Sequence, residues 1–137
     1  MVLPESAVIM EYVEERNPQP TLLPAGIAER ALARVWIDRF DERLGKAYYA
    51  RRRGEPDADE KLNVRLAALD GALARRPFLS GDDYGLADIA YLPWVLRARA
   101  TLGVDFEGLA SLEGWVERLS ERPAVAAERD LVGALVR

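Results

Sequence analysis

Two adjacent side chains near the amino end, Glu5 and Ser6, are of the types that bind the charged end of an amino acid. Ser6 stands at the predicted first position of a helix, where its hydroxyl and the free backbone amides at the positive end of the helix dipole suit a carboxylate. Glu5 supplies the opposite charge for an ammonium group. A structural interpretation stays open, in which Ser6 only caps its helix and Glu5 is solvated. On residue types alone, that second interpretation is favoured.

A second group of polar residues lies in the stretch GDDYGLAD, residues 81–88. Asp88 follows Gly85 by three positions, the spacing at which an acid accepts the N–H of the residue that caps its helix. Tyr84 and Ile89 stand where a hydrophobic staple fixes the angle at which the chain enters the helix. We therefore assign Gly85, Asp88, Tyr84 and Ile89 to a structural capping motif, in preference to a metal or acid site.

The composition excludes several classes of site. The 137 residues contain no cysteine and no histidine, which removes disulfides, thiolate nucleophiles, imidazole bases and nearly every transition-metal site. A formal net charge of −4 gives no reason to expect nucleic-acid binding. We find neither a membrane-spanning apolar run nor the pattern of a signal peptide. These features predict a cytoplasmic protein with one core, no metal, and no nucleic-acid or membrane partner.

Helical periodicity runs through almost the whole sequence and predicts an all-α helical bundle. A short helix is expected from Ser6 to about Arg16, followed by a proline-rich linker at residues 18–26. A single long helix is expected from Ile27 to about Arg53. Three further helices carry the repeats Leu62, Leu66, Leu69 and Leu73, then Leu86, Ile89, Ala90 and Trp94, then Leu112, Trp115, Val116 and Leu119, with one or two turns after Ala124.

Three stretches, in this order, resemble the glutathione transferase family. VLPESAVIMEY, residues 2–12, is similar to the last strand of the family's thioredoxin-like domain and the start of its final helix. FLSGDDYGLADIA, residues 78–90, resembles the opening of the central helix of its all-helical domain, and residues 112–125 resemble its closing helices. The resemblance implies a thioredoxin-like remnant at 1–17 (strand end and helix), a linker at 18–26, and the C-terminal helical domain at 27–137.

One position departs from the family pattern. Gly85 stands where the family usually has a serine or threonine as the capping residue. Since glycine has no side-chain oxygen, half of the reciprocal capping box is lost, at a cost of roughly a few tenths of a kcal/mol relative to a hydroxyl cap. We expect the fold to survive this departure.

The resemblance also implies a function. In the intact protein Glu5 and Ser6 would hold the γ-glutamyl end of glutathione, the co-substrate that the family attaches or transfers to small electrophiles. The family binds its second substrate in an apolar pocket between facing surfaces of the first and central helices of its helical domain. It commonly forms homodimers. By that resemblance the second-substrate pocket has five candidates, although each fits core packing at helical spacing at least as well: Trp36, Phe40, Tyr48, Tyr91 and Trp94.

This chain is expected to bind glutathione weakly or not at all and to be inactive alone. By the resemblance, the hydroxyl or thiol that activates glutathione belongs to the family's segment ahead of Val2, so no catalytic residue is assigned here. A non-enzymatic alternative stays open, because the stringent starvation proteins resemble residues 5–24 and similar helical domains serve as docking modules in translation factors.

Overall fold

The computed structural model describes residues 2–135, and over this range it confirms the all-α prediction. Met1, Val136 and Arg137 lie outside the described residues, so the outer ends of the predicted segments 1–17 and 27–137 are not covered. Residues 2–5 form no regular structure before the first helix. The α-helices are α1 (Ser6–Arg16), α2 (Ile27–Asp38), α3 (Lys46–Arg52), α4 (Ala58–Leu73), α5 (Leu86–Leu102), α6 (Ala110–Ser120) and α7 (Pro123–Leu135).

The long helix predicted after the linker is not continuous, because a π-helical turn at Asp41–Gly45 separates α2 from α3. The N–H of Lys46 donates to the carbonyl of Asp41, five residues earlier, which widens the helix by one residue. A Cβ on Gly45 would lie 2.9 Å from a ring carbon of Phe40, so only glycine fits this turn without displacing that ring. Helical spacing alone does not reveal such a turn, since the apolar stripe continues through it.

The last helix is longer than predicted. The sequence indicated one or two turns after Ala124, because Pro123 was expected to interrupt the chain. Instead Pro123 is the first residue of α7, a helix of 13 residues. Proline suits this position because the first amides of a helix have no intrahelical acceptor. Val125 and Val132 of α7 are buried and attach the helix to the rest of the bundle.

The core lies between α3, α4, α5 and α6, and it buries the predicted repeats of α4 and α6. Trp115 and Tyr91 are fully buried, and the Tyr91 hydroxyl donates to the backbone carbonyl of Trp36 at 2.8 Å. The Trp36 and Tyr91 rings meet edge to face with their centroids 5.5 Å apart. A membrane crossing would need a longer apolar helix than any found within residues 2–135.

The carboxylate of Asp88 is fully buried and joins three parts of the core. Its Oδ2 accepts the N–H of Gly85 at 3.0 Å, and its Oδ1 accepts the N–H of Leu79 at 3.1 Å. The same Oδ1 accepts the indole N–H of Trp115 at 2.8 Å. Burial raises the pKa of Asp88, while these donors oppose that shift by stabilising the charge. The start of α5 is thereby tied to the preceding loop and to α6.

A backbone carbonyl from the linker occupies the capping position of α5. The N–H of Leu86, the first residue of α5, donates to the carbonyl of Leu22 at 3.0 Å. A Cβ on Gly85 would lie only 2.6 Å from that carbonyl oxygen. Gly85 therefore does more than tolerate the loss of a hydroxyl cap, since its missing side chain lets the linker approach and satisfy an amide of the helix.

Glu14 of α1 also binds the linker, through two hydrogen bonds. It is the buried acid of α1, with a relative exposure of 7%, and its Oε1 accepts the N–H of Leu22 at 2.8 Å. The same oxygen accepts the Thr21 hydroxyl at 2.7 Å. A second contact joins α1 to α2, where Arg34 donates to Glu11 at 2.9 Å. Residues 18–26 thus form a linker that is hydrogen-bonded to both α1 and α5.

The apolar stripe of α1 points outward. Val8 and Val13 are 52% and 51% exposed, and Ile9 and Tyr12 are 39% and 36% exposed. The helix lies where the sequence predicted it, but the residue that α1 buries is Glu14. The attachment of α1 to the bundle therefore depends on polar contacts to the linker and to α2.

We predict that Asp88→Ala lowers the free energy of unfolding by about 3–5 kcal/mol, because it leaves three buried N–H donors unpaired. Asp88→Asn should cost about 1–3 kcal/mol, since its amide keeps one acceptor oxygen but turns an N–H₂ towards another donor. Urea denaturation followed by circular dichroism measures both. The exposed neighbour Asp83 is the control, and Asp83→Asn should change stability by less than about 0.5 kcal/mol. An Asp88→Ala protein as stable as Asp83→Asn would contradict this account.

We predict that Gly85→Ala lowers the free energy of unfolding by about 1–3 kcal/mol, because its Cβ forces the Leu22 carbonyl away from α5. Hydrogen exchange should show faster exchange of the Leu86 amide. Gly71→Ala in α4 is the matched control, since an added Cβ there meets nothing within 4 Å, and it should stabilise the protein by about 0.5–1 kcal/mol. Unchanged protection of Leu86 in Gly85→Ala would exclude the linker cap.

Candidate functional site

One cleft of about 1040 Å³ opens between α1, the end of α2 with its π turn, α5 and α7. The first turn of α1 forms one edge, and α7 forms the opposite wall through Ala124, Val125 and Glu128. Phe40 and Trp94 lie between them. The cleft therefore depends on α7, which the sequence predicted too short, and on the π turn, which it did not predict.

The predicted glutathione-binding pair lies at the edge of this cleft. Glu5 is the capping residue of α1, with extended backbone dihedrals, and Ser6 is the first helical residue. The Glu5 Oε1 accepts the N–H of Ala7 at 3.2 Å and the hydroxyl of Ser6 at 3.3 Å. The structural interpretation had Ser6 cap the helix and left Glu5 solvated, but it is the carboxylate of Glu5 that accepts the capping bond from Ala7. Both side chains are exposed and accessible to a ligand.

Aromatic rings form the inner wall of the cleft. The Trp94 ring lies 5.6 Å from Phe40 and 5.4 Å from Tyr49, measured between centroids. Phe40 and Trp94 were predicted pocket residues, and both line the cleft. Tyr49 also lines it but was not predicted, since Tyr48 beside it fits the same helical stripe. In α3, Tyr48 is buried in the core and its neighbour Tyr49 lines the opening.

The other three predicted pocket residues lie behind this wall. Trp36, Tyr48 and Tyr91 are 7%, 3% and 0% exposed, and none of them lines the cleft. Tyr48 supports Trp94 from behind, with centroids 5.2 Å apart. Burial raises the pKa of Tyr91, whose hydroxyl donates within the core. These side chains therefore support the wall and are not available to a ligand in this arrangement.

The capping motif of α5 contributes to the cleft as well as to stability. Tyr84 and Ile89 both line it, although the sequence assigned them only a structural role. The guanidinium of Arg122 lies 3.8 Å from the centroid of the Tyr84 ring, and the Phe78 ring packs against its edge at 6.3 Å. Burial raises the pKa of Tyr84, so its hydroxyl stays neutral at physiological pH.

The ionisable residues of the cleft are mostly acidic. Glu5, Asp38, Asp41 and Glu128 line it together with one cation, Arg97. Arg97 forms an ion pair with Glu128 and lies 5.5 Å from the centroid of Trp94. The sequence analysis did not predict Asp38, Asp41, Glu128 or Arg97, which come from three separate parts of the chain. Within residues 2–135 no group of three His, Cys, Asp or Glu side chains could hold a metal ion.

Comparison with known proteins places this chain and its fold in a family. The family described as "Glutathione S-transferase, C-terminal domain" matches residues 42–123, more than half of the chain. A probable glutathione S-transferase parC from Nicotiana tabacum is 34% identical over 134 residues, covering 89% of this chain and 60% of that protein. A stringent starvation protein A homolog from Haemophilus influenzae is 30% identical over 130 residues, with the same 89% and 60% coverage.

A solved structure agrees with these matches. The theta class glutathione S-transferase from the citrus canker pathogen Xanthomonas axonopodis pv. citri, solved with glutathione bound, has a TM-score of 0.76 and 26% identity. The superposition covers 95% of this chain and 74% of the chain of the solved structure. The chain spans about 60% of the length of the curated relatives named above. It belongs to the glutathione transferase family and carries the all-helical fold of the family's C-terminal domain.

Proposed function

We propose that this chain is the helical part of a glutathione transferase that attaches glutathione to small electrophiles. The observation that supports the proposal is that the Glu5–Ser6 pair and the aromatic wall share one cleft. An amino-acid end held at the edge of α1 would direct the rest of the ligand towards Phe40, Tyr49 and Trp94. Family membership makes glutathione the first candidate for that ligand.

The geometry of Glu5 suggests how the pair would work. In the free chain the Glu5 carboxylate accepts the N–H of Ala7 and the hydroxyl of Ser6, at long distances of 3.2 and 3.3 Å. The carboxylate of a γ-glutamyl end would replace it at these donors, at the positive end of the α1 dipole. Glu5 would then turn to pair with the ammonium group. Two hydrogen bonds within the chain are thereby exchanged for two to the ligand carboxylate and one from the ligand ammonium group to Glu5.

The reaction needs little from the cleft beyond orientation. The thiolate sulfur of glutathione attacks the electrophilic carbon, a C–S bond forms, and the leaving group departs with its bonding pair. The aromatic wall would hold the acceptor with its reactive carbon facing the sulfur, which lowers the entropy cost of the encounter. By the family resemblance, the group that activates the thiol precedes Val2, so the residues of this chain bind and orient.

The same proposal includes the organisation of the protein. Residues 1–17 would belong to a thioredoxin-like domain, residues 18–26 would be the proline-rich linker, and residues 27–137 would be the helical domain. A homodimer through the early part of α2, in the cytoplasm, fits the family. The non-enzymatic alternative is not favoured, because the stringent starvation protein homolog is no more similar than the transferase, at 30% against 34% identity.

We predict that glutathione shifts the amide signals of Ser6 and Ala7 in an NMR titration, with a dissociation constant of about 1 mM or weaker. Glu5→Gln and Ser6→Ala should each weaken this binding about three- to tenfold by removing one partner of the ligand. Glu15→Gln, which removes an exposed acid from the same helix, is the control and should bind like the parent. If the shifts appear elsewhere, or survive both substitutions, the assignment of the pair is wrong.

We predict that the 137-residue chain with glutathione and chlorodinitrobenzene shows no turnover above the uncatalysed rate. The physical reason is that binding without thiol activation leaves the thiolate fraction unchanged. The absorbance of the conjugate measures the rate. Robust turnover that Ser6→Ala abolishes would contradict this expectation and would assign the activating group to this chain.

A further inference from the structure

We propose that the cleft selects its aromatic ligands by charge, accepting cationic and uncharged ring compounds and rejecting those with a carboxylate or sulfonate. The inference rests on the proposed function in one respect, which is that the cleft receives the acceptor substrate. It concerns the class of that acceptor. The residues that would decide it are Asp38, Asp41 and Glu5, together with the Arg97–Glu128 ion pair.

The carboxylates come from different parts of the chain and converge on one opening. Asp38 ends α2, Asp41 begins the π turn, and Glu5 caps α1. All three side chains are exposed, and each counts as one negative charge in the formal net charge of the chain. None of the three has an ion-pair partner among the described residues. Asp38 also lies at the negative end of the α2 dipole, so helix stability does not account for its position.

The cation of the cleft is not free to attract an anion. Arg97 forms its ion pair with Glu128 across the wall, and both side chains are about one-third exposed, at 32% and 31%. The pair contributes no net charge. Arg97 also lies 5.5 Å from the centroid of the Trp94 ring, so its other neighbour is an aromatic face. The net ionic charge of the cleft is therefore that of the three unpaired carboxylates, and the positive end of the α1 dipole offsets part of it beside Glu5.

The aromatic wall acts in the same direction as the carboxylates. The faces of Trp94, Phe40 and Tyr49 carry negative electrostatic potential, which attracts a cation within about 6 Å of a ring centroid. A ligand with a positive group would gain from the rings and from the carboxylates. A ligand with a negative group on the same ring system would gain neither attraction and would keep only its apolar contacts.

The expected discrimination follows from Coulomb's law. In a water-like dielectric, one carboxylate about 8 Å from a unit charge on the ligand changes the binding constant of that ligand by roughly twofold. Three carboxylates together predict a preference for a cation over an anion of about tenfold or more at low salt. Screening should reduce the preference to about threefold or less at high ionic strength.

Three naphthalene compounds of the same shape provide the test: a naphthylmethylammonium, a naphthamide and a naphthoate. Each is titrated into the full chain while tryptophan fluorescence is followed, since Trp94 lines the cleft and Trp36 and Trp115 are buried. The Trp94→Phe variant should lose the signal. The expected order of affinity is cation, then neutral compound, then anion, with the first and last differing by about tenfold or more in low salt.

Two substitutions distinguish a local field from the overall charge of the protein. The double variant Asp38→Asn with Asp41→Asn should reduce the preference for the cation over the anion to about fourfold, since only Glu5 remains. Glu128→Gln should leave Arg97 uncompensated and improve binding of the naphthoate by about twofold or more. Glu117→Gln is the control, because Glu117 is exposed on α6 outside the cleft, and it should preserve the order. Circular dichroism verifies that each variant is folded.

Equal affinities for the three compounds would overturn the inference, as would failure of all three to bind. A loss of preference in Glu117→Gln equal to that in the double variant would overturn it too, since net charge would then explain the order. The assay contains no glutathione. Its failure would therefore leave the Ser6 and Ala7 titration unaffected, and a failed titration would leave the order of the three compounds intact.

Discussion

The buried carboxylate of Asp88 is the interaction on which the rest of the bundle depends. Three N–H donors from different parts of the chain converge on it, at Gly85, Leu79 and Trp115. A buried charge costs free energy unless it is satisfied in this way, and the donors would be equally costly without it. One side chain therefore joins the start of α5, the loop before it and α6. Because α5 supplies one wall of the cleft, the shape of the site depends on this one side chain.

The linker extends that constraint to the first helix. Leu22 accepts the N–H of Leu86 through its carbonyl and donates its own N–H to Glu14. The absence of a side chain at Gly85 is what permits the approach. Gly85 in place of a serine or threonine therefore exchanges a hydroxyl cap for the backbone carbonyl of Leu22. Because Leu22 is also bonded to Glu14, the same contact fixes the position of α1 and of the cleft edge that carries Glu5.

The cleft combines two kinds of recognition. Its edge offers an acid, a hydroxyl and helix amides, which suit a zwitterion, while its wall offers aromatic faces to a second ligand. The wall is supported by buried rings such as Tyr48 and Tyr91, which touch no ligand but limit how far Trp94 and Phe40 can move. Unpaired carboxylates around the opening then set its charge. Binding, shape and charge thus come from different residues of α1, α2 with its π turn, α3 and α5.

The sequence by itself determined the all-α class, the limits of α1, the buried repeats of α4 and α6, and the acid at the third position of α5. These features are local, since helical periodicity and capping involve residues within four positions of one another. Only the tertiary structure decided which rings face the cleft, because the burial of Tyr48 and the opening beside Tyr49 depend on how other helices pack against α3. It also decided that Glu14 is buried and that four distant acids share one opening. Such contacts join residues far apart in the chain, and no spacing rule within a single helix specifies them.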